Sequence, residues 1–304
     1  MTEFLAIGNM SIDDLVFADG TTQWCMPGGN AIYAALGMEL WSVRPAVLAL
    51  YGPDYPTAQL FDRIDLSPSR GVPRTLRNWG LYEDDGSRTF LFRRETRDWI
   101  AFCPDVSDLG ADPIGGCHVA PLPWDRQVAM AAAARRRGAG PITVDVDDRH
   151  LAEISRKDIA DFLATIDAFL PSRQDAEALF PGSTPLDALR QLRALAAGTP
   201  MICIKLGAEG VILHRAGAAE VMVLPSAAAL VVDATGAGDA FCGGFLVGLA
   251  RSGDPATAAL MGSVSASFAV SGLGIAGFTS ATRAEAEARM ATLAGKIRHE
   301  PFPS

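Results

Sequence analysis

The chain has 304 residues, about twice the ~150 residues of an average domain; 49 % are apolar and 20 % charged, with 14 Phe and 5 Trp. That much apolar material can bury a sizeable core, which excludes wholesale disorder. Against 35 acidic residues stand 26 basic ones, a net charge of −9. That balance argues against nucleic acid and anionic membranes as main partners, but not against a small anion held at one local site.

In chain order, Phe4–Ile7 is an apolar run ending at Gly8-Asn9, a strand meeting a turn. Ile12–Trp24 alternates loosely around Asp19-Gly20, which predicts a hairpin. Gly28-Gly29 precedes a helical stretch from Asn30, and Ala46–Tyr51 is an apolar strand stopped by Gly52-Pro53. A second hairpin is predicted between Val72 and Arg94, with strands at Thr75–Tyr82 and Arg88–Arg93 joined through Asp84-Asp85-Gly86. After Pro104, short apolar runs (Cys117–Ala120, Ile142–Val146, Ile166–Leu170, Met201–Leu206) alternate with helical stretches (Asp125–Arg137, Ser155–Leu163, Gln174–Phe180, Leu186–Ala196). Such alternation marks βαβ units around a parallel sheet buried on both faces. Val211–His214 and Glu220–Leu224 predict another hairpin, and Gly238–Ala250, Pro255–Val270 and Arg283–Arg298 are predicted helices. No linker or repeat divides the chain. The expected organisation is one α/β domain over residues 1–304 carrying a small β-sheet lid, built from about 12–26 and 72–94.

The five cysteines are scattered and never spaced C-x-x-C, and the N-terminus lacks a basic n-region and a long apolar h-region. A reduced, cytoplasmic protein without a zinc site or signal peptide is expected. Pro255–Thr282 carries no charge and is long enough for a bilayer, but its serines and glycines predict a buried helix in a soluble core instead. Gly272-Leu273-Gly274-Ile275-Ala276-Gly277 matches the dinucleotide fingerprint G-x-G-x-x-G without a preceding strand or enough chain after it. The four histidines have no metal-ligand spacing and read as structural or solvated.

The most informative stretch is Val231-Val232-Asp233-Ala234-Thr235-Gly236-Ala237-Gly238-Asp239-Ala240-Phe241. An extended run reaches an acidic residue, turns through small residues and opens a long helix. The amides of Gly236, Ala237 and Gly238 lie where that helix begins, so free N–H donors and the positive dipole end converge on one anion. A carboxylate beside an anion is costly unless it works there. Taking the proton from a hydroxyl that attacks phosphorus would be such work for Asp239; the alternative is that it only complements the helix dipole and the glycines only make a tight turn.

Asp-x-Thr-Gly-Ala-Gly-Asp closely resembles the C-terminal signature of the ribokinase-like (PfkB) carbohydrate kinase family. Other segments resemble the family in the right order: Gly8-Asn9 with Ile12-Asp13, Pro27-Gly28-Gly29-Asn30, Val144-Asp145 with Arg149, and Lys205-Leu206-Gly207-Ala208-Glu209-Gly210. The resemblance implies a doubly wound, mainly parallel α/β sheet flanked by helices with a small β-sheet lid. It also implies ATP and Mg2+ as cofactors, with phosphorylation of a hydroxyl of a sugar or sugar-like polyol. Residue by residue, it assigns Asp239 as base, with Gly236, Ala237 and Gly238 as the anion hole. Asp13, Gly29 and Asn30 become acceptor contacts, and Lys205, Gly207, Gly210, Thr235 and Ser263 the nucleotide side. Asp233 and Thr235 match positions that in some members take part in a monovalent cation site, such as one for K+. Where the family has Asn-x-x-Glu, this chain has Ser172-Arg173-Gln174-Asp175, so Asp175 is expected to organise Mg2+ through water. Ser263 replaces an Asn often found near the adenine.

Two alternatives stay open. A nucleoside acceptor would need stacking partners, for which Trp24, Tyr33 or Trp79 are available, and a binding sensor would keep the fold without turnover. Arg77 and Arg93 on the lid strands could meet a phosphorylated sugar, and an exposed lid edge could pair with a second copy in a homodimer.

Overall fold

The computed structural model describes residues 2–41, 43–56, 60, 62–84, 87–147, 151–228 and 230–302. The predicted Asp85-Gly86 turn, Arg149 and His150 lie outside the described residues. In chain order the strands are β1 (Thr2–Ile7), β2 (Ser11–Val16), β3 (Thr22–Gly28), β4 (Ala46–Leu48), β5 (Leu50–Tyr51), β6 (Arg70–Gly71), β7 (Leu76–Tyr82), β8 (Arg88–Phe92), β9 (Ile114–Val119), β10 (Ile142–Val144), β11 (Ala168–Phe169), β12 (Met201–Lys205), β13 (Val211–Arg215), β14 (Glu220–Leu224) and β15 (Arg298–Pro301). The α-helices are α1 (Asn30–Glu39), α2 (Trp124–Arg136), α3 (Arg156–Leu163), α4 (Arg173–Leu179), α5 (Pro185–Leu195), α6 (Ala237–Ser252), α7 (Pro255–Ala269), α8 (Ala276–Thr279) and α9 (Arg283–Ala294).

Nine strands form the large sheet in the order β15-β14-β13-β12-β11-β10-β9-β1-β4. From β4 to β12 every pairing is parallel, and β13, β14 and β15 close one edge antiparallel. The parallel strands are short and apolar throughout because helices cover both faces. One buried cluster packs around α1, α6 and α7 (Ile32, Phe245, Phe268) and the other around α2, α3 and α5 (Met130, Phe162, Leu189). The doubly wound reading of the alternating sequence is correct.

Helix starts follow the local chemistry. Ser155, Thr184 and Thr282 accept from the backbone N–H three residues on, and Ser172 with Asp175 makes a reciprocal capping box. One expectation needs correction at the C-terminal end. The helix predicted over Arg283–Arg298 stops at Ala294, where Gly295 caps it, and Arg298–Pro301 pairs with the otherwise open edge of β14. The uncharged stretch from Pro255 divides into α7 of 15 residues and the short α8. No helix among the described residues is long and apolar enough to cross a membrane. Gly272–Gly277 follows α7 with no strand before it, so it lacks the context of a dinucleotide site.

A separate four-stranded sheet has the order β3-β2-β7-β8. Its two antiparallel hairpins are those predicted. The parallel pairing of β2 with β7, Asp13 opposite Asn78, joins them. In the large sheet, chain order runs outward from β1 to β4 on one side and from β9 on the other. Strand order therefore reverses between β1 and β9, and a crevice opens at the carboxyl ends of the strands. The motif residues gather there.

Candidate active site

Asp233 to Asp239 forms the turn into α6. Gly236 caps the helix with φ 75, in the left-handed region. A Cβ at that position would also run into the ring of Tyr33, so two independent constraints demand glycine. The first helical hydrogen bond runs from Ala240 N–H to Gly236 O (2.9 Å), which leaves the Gly238 amide ahead of the ladder. Its donor and the helix dipole face the crevice, and Asp239 lies in the first turn beside them.

Three carboxylates and one ammonium define the electrostatics. Asp145 follows β10, Asp175 lies in the first turn of α4, and Lys205 ends β12. Lys205 Nζ donates to Asp145 Oδ2, with both side chains almost wholly buried. The same ammonium lies 3.3 Å from where a Cβ on Gly238 would stand, which brings a fixed positive charge against the Gly236–Gly238 turn. Burial and the neighbouring Asp145 raise Asp239 to about 7, opposed by Lys205. Asp175 is raised to about 7 by burial and by Asp145, and burial also pushes Asp145 upward. Lys205 is held well above its ordinary value, because its acidic neighbours outweigh its burial. With one cation among three acids, the cluster carries surplus negative charge. Asp175 Oδ2 accepts from both the N–H (2.7 Å) and the hydroxyl (2.6 Å) of Ser172, which leaves Oδ1 outside the capping box.

A cleft of about 790 Å³ contains this cluster and continues past Gly207 and Gly210. Its far wall is apolar, with Ala227, Val231, Ala266 and Val270. Val231 is 56 % exposed, an apolar surface that lacks a protein partner. Ser263 lines the same cleft with a buried hydroxyl that has no hydrogen-bond partner among the described residues. An extended apolar slot with one orphan hydroxyl, leading to amides and an ammonium, has the chemistry of a nucleotide site.

On the other side of the anion loop, Asp13 from β2 accepts from Ser11 Oγ (3.0 Å) and Asn78 Nδ2 (2.9 Å). Burial raises it to about 6 against these hydrogen bonds, with Asp14 and Asp233 adding to the rise. Gly29 has φ 109 and lies against the Asn9 carbonyl, where a side chain would collide. The Asn30 carboxamide holds the neighbouring loops: Oδ1 accepts from Asn9 N–H (2.7 Å) and Nδ2 donates to Pro121 O (3.0 Å). Asp233 accepts from Thr235 N–H (2.9 Å) and Tyr82 O–H (3.1 Å) through Oδ1, and from Gly274 N–H (3.4 Å) through Oδ2.

The structure thus brings Asp239, Gly236–Gly238, Lys205, Asp175 and Ser263 to one cleft, with Asp13, Gly29, Asn30, Asp233 and Thr235 beside it. Other expectations fail. Arg77 grips Asp14 with two hydrogen bonds (2.7 and 2.8 Å) and Arg93 adds a third (2.8 Å), on the face of β2 opposite Asp13. These arginines are committed to a buried carboxylate and do not face the site. Trp79 alternates with Asn78 and so lies on that same outer face, under Arg93 and edge-on to Trp24 at 5.5 Å. Of the three suggested stacking aromatics, only Tyr33 reaches the site. His118 is structural, as expected, bonded to Thr143 Oγ1 (3.0 Å) and pushed down to about 3 by burial.

Sequence reasoning missed Ser11, Asn78, Tyr82 and Arg88, the last of which lines the cleft from β8. Asn78 and Tyr82 depend on the β2–β7 register, which no local pattern encodes. Arg88 follows a turn whose distance from the cleft is set by the whole small sheet.

The profile of the pfkB family carbohydrate kinases matches residues 17–281. The cytidine kinase of Thermococcus kodakarensis is 28 % identical over 258 residues, 83 % of this chain and 90 % of that protein. Among solved structures, a candidate ribokinase II from E. coli in complex with ATP and Mg2+ superposes with a TM-score of 0.76, at 17 % identity, covering 96 % of this chain and 100 % of the other. The nucleoside kinase of Burkholderia thailandensis in complex with inosine does so at 0.75, with 18 % identity and coverages of 96 % and 98 %.

Proposed function

We propose, from the premise that the chain belongs to the pfkB family of carbohydrate kinases, that it transfers the γ-phosphoryl group of ATP to a hydroxyl of a sugar or sugar-like polyol. The observation that carries this reading is Asp239. It is a carboxylate raised to about 7, one residue beyond the free Gly238 amide and beside the Lys205 ammonium. A base works best with a pKa near the working pH, since it is then both ionised and able to hold the proton.

In this reading the acceptor lies between Asp13 and Asp239, under the small sheet acting as a lid. Asp13, steadied by Ser11 and Asn78, accepts hydrogen bonds from acceptor hydroxyls and orients the reacting one. Asp239 takes the proton of that hydroxyl as its oxygen attacks phosphorus. The Gly236–Gly238 amides and Lys205 hold the charge on the transferred group, preorganised so that no reorientation is required during the reaction. Lid closure keeps water from competing as acceptor. The apolar wall with Ser263 receives the adenine, and Gly207 and Gly210 let the chain turn closely beneath the nucleotide. Surplus negative charge among Asp145, Asp175 and Asp239 suits Mg2+, which when bound would neutralise phosphate charge, held through water by Asp175.

One observation favours a second reading, a nucleoside acceptor. The inner face of the lid carries Phe17, Tyr82 and Phe90 as a chain of ring contacts at 5.1 and 6.4 Å, and a cytidine kinase is among the relatives that match most of the chain. A panel of pentoses, hexoses and nucleosides with MgATP, read for ADP and phosphorylated acceptor, tests both. Transfer to a free sugar supports the first reading, and transfer confined to nucleosides supports the second. Tight acceptor binding with no ADP from any of them overturns both in favour of a binding protein.

A further inference from the structure

Tyr82 is the last residue of β7, at the tip of the small sheet. Its hydroxyl crosses to the anion loop of the large domain, donating to Asp233 Oδ1 at 3.1 Å and lying 3.0 Å from Thr235 Oγ1. A phenol has one proton, so donation to the carboxylate leaves its oxygen to accept from the threonine. Phe17 and Phe90 hold the ring from either side, which fixes the direction of the hydroxyl. Across the hairpin, Tyr82 is the register partner of Arg88, which lines the nucleotide cleft.

The residues it touches, Asp233 and Thr235, are those that the family resemblance offers to a monovalent cation. A cation there would have competition. It needs oxygens with their lone pairs turned inward. Here three donors, Tyr82 O–H, Thr235 N–H and Gly274 N–H, already point at the Asp233 carboxylate, two of them at Oδ1. The Tyr82 hydroxyl takes up the side of Oδ1 that a cation would use.

We propose that Tyr82 is a positioning residue that latches the lid onto the anion loop through Asp233 and Thr235, in the place where other chains use a cation. Closing the lid and setting the Gly236–Asp239 turn then become one event, because the tyrosine holds the residue three positions before Gly236. The same latch carries Arg88 to the mouth of the cleft. Coupling of this kind is reciprocal: what loosens the lid loosens the loop.

The catalytic meaning of the latch rests on the kinase reading, but its existence does not, so the first test uses no substrate. Hydrogen exchange of the ligand-free protein is compared for wild type, Tyr82→Phe and Thr235→Val. The phenylalanine keeps the ring packing and removes only the hydroxyl. A hydrogen bond to a charged group shifts an equilibrium by a factor of roughly 10–100. Amides of 76–92 and of 233–239 are therefore expected to exchange at least about tenfold faster in Tyr82→Phe, and faster by a smaller factor in Thr235→Val, which loses only the neutral hydroxyl contact. KCl and choline chloride at equal ionic strength are expected to give the wild type the same melting temperature. Unchanged exchange in Tyr82→Phe, or a melting temperature raised by K+ alone, overturns the proposal. With an acceptor in hand, Tyr82→Phe is expected to raise the acceptor KM and the share of ADP formed without transfer. A variant that transfers with wild-type KM and coupling overturns the positioning role, whereas a wild type with no transfer at all counts against the kinase reading and leaves the exchange result standing.

Discussion

Lys205 and Asp145 form a buried ion pair whose ammonium also lies against Gly238, so the positive charge beside the Gly236–Gly238 turn is held in place by a buried carboxylate. An ammonium this buried would shed its proton without such a partner. Asp145 is thus best understood as the residue that keeps Lys205 charged, and Lys205 as the charge that keeps Asp239 from rising further.

Replacing Lys205 by Met tests that chain of influence. Three buried carboxylates then share no cation, and Asp239 loses the group that lowers it. Turnover is expected to fall about 10²–10³-fold, the size of losing one preorganised donor. The acid limb of the kcat profile should move to higher pH. A limb that stays near its wild-type position shows that Lys205 does not act on the base.

Stability should depend on pH in a defined direction. Asp175 and Asp239 are raised to about 7 and Asp13 to about 6, against about 4 for an unfolded carboxylate. Between pH 4 and 7 the folded chain binds more protons than the unfolded one, so these groups favour folding at low pH and lose that contribution as pH rises through 7. Asp175→Asn can still accept from Ser172 and cannot ionise. Its melting temperature should exceed that of wild type at pH 8 and converge with it near pH 5. Measured without nucleotide, the opposite order would show that the carboxylate is stabilised where it stands.

At Gly236, alanine meets both a left-handed backbone and the Tyr33 ring. A destabilisation of about 1–3 kcal/mol is expected from the backbone strain alone, together with weaker ATP binding, read by thermal denaturation and calorimetry. Gly253, left-handed at the other end of α6 with nothing near its missing Cβ, serves as the control. Gly253→Ala should lose stability without loss of ATP affinity.

Much of this site was legible in the sequence, because local chemistry builds it. Asp233–Asp239 combines a turn, a helix start and an acid within seven residues, and Lys205-Leu206-Gly207 ends a strand whose apolar run is plain. Contacts made across sheets were not legible. Asn78 reaches Asp13, and Tyr82 reaches Asp233, only through the parallel pairing of two hairpins separated by about 50 residues of chain. The same alternation decided the fate of Arg77: a one-residue step along β7 separates a neighbour of the site from a partner of Asp14. The last strand was missed because Arg298–Pro301 has no strand-like pattern of its own and is recruited by the open edge of β14.

Arg77→Ala separates the structural reading of the outer lid face from a substrate-binding one. Burial would push Asp14 up, but Arg77, the Cys25 amide and Arg93 outweigh it and hold it below the usual range. Losing one of these donors should cost roughly 1–3 kcal/mol of stability. It should not alter the preference between phosphorylated and unphosphorylated acceptors. A selective rise in KM for phosphorylated acceptors would return this arginine to the site.

The most direct test of the central claim is the effect of Asp239→Asn on phosphoryl transfer, measured beside ATP binding in the same preparation. Asparagine keeps the shape of the side chain and cannot take up the proton. The expected result is an ATP Kd within about threefold of wild type with turnover reduced by about 10²–10⁴-fold, the contribution of a general base. A variant that binds ATP and transfers phosphoryl within about threefold of the wild-type rate would contradict the assignment of Asp239 as the base.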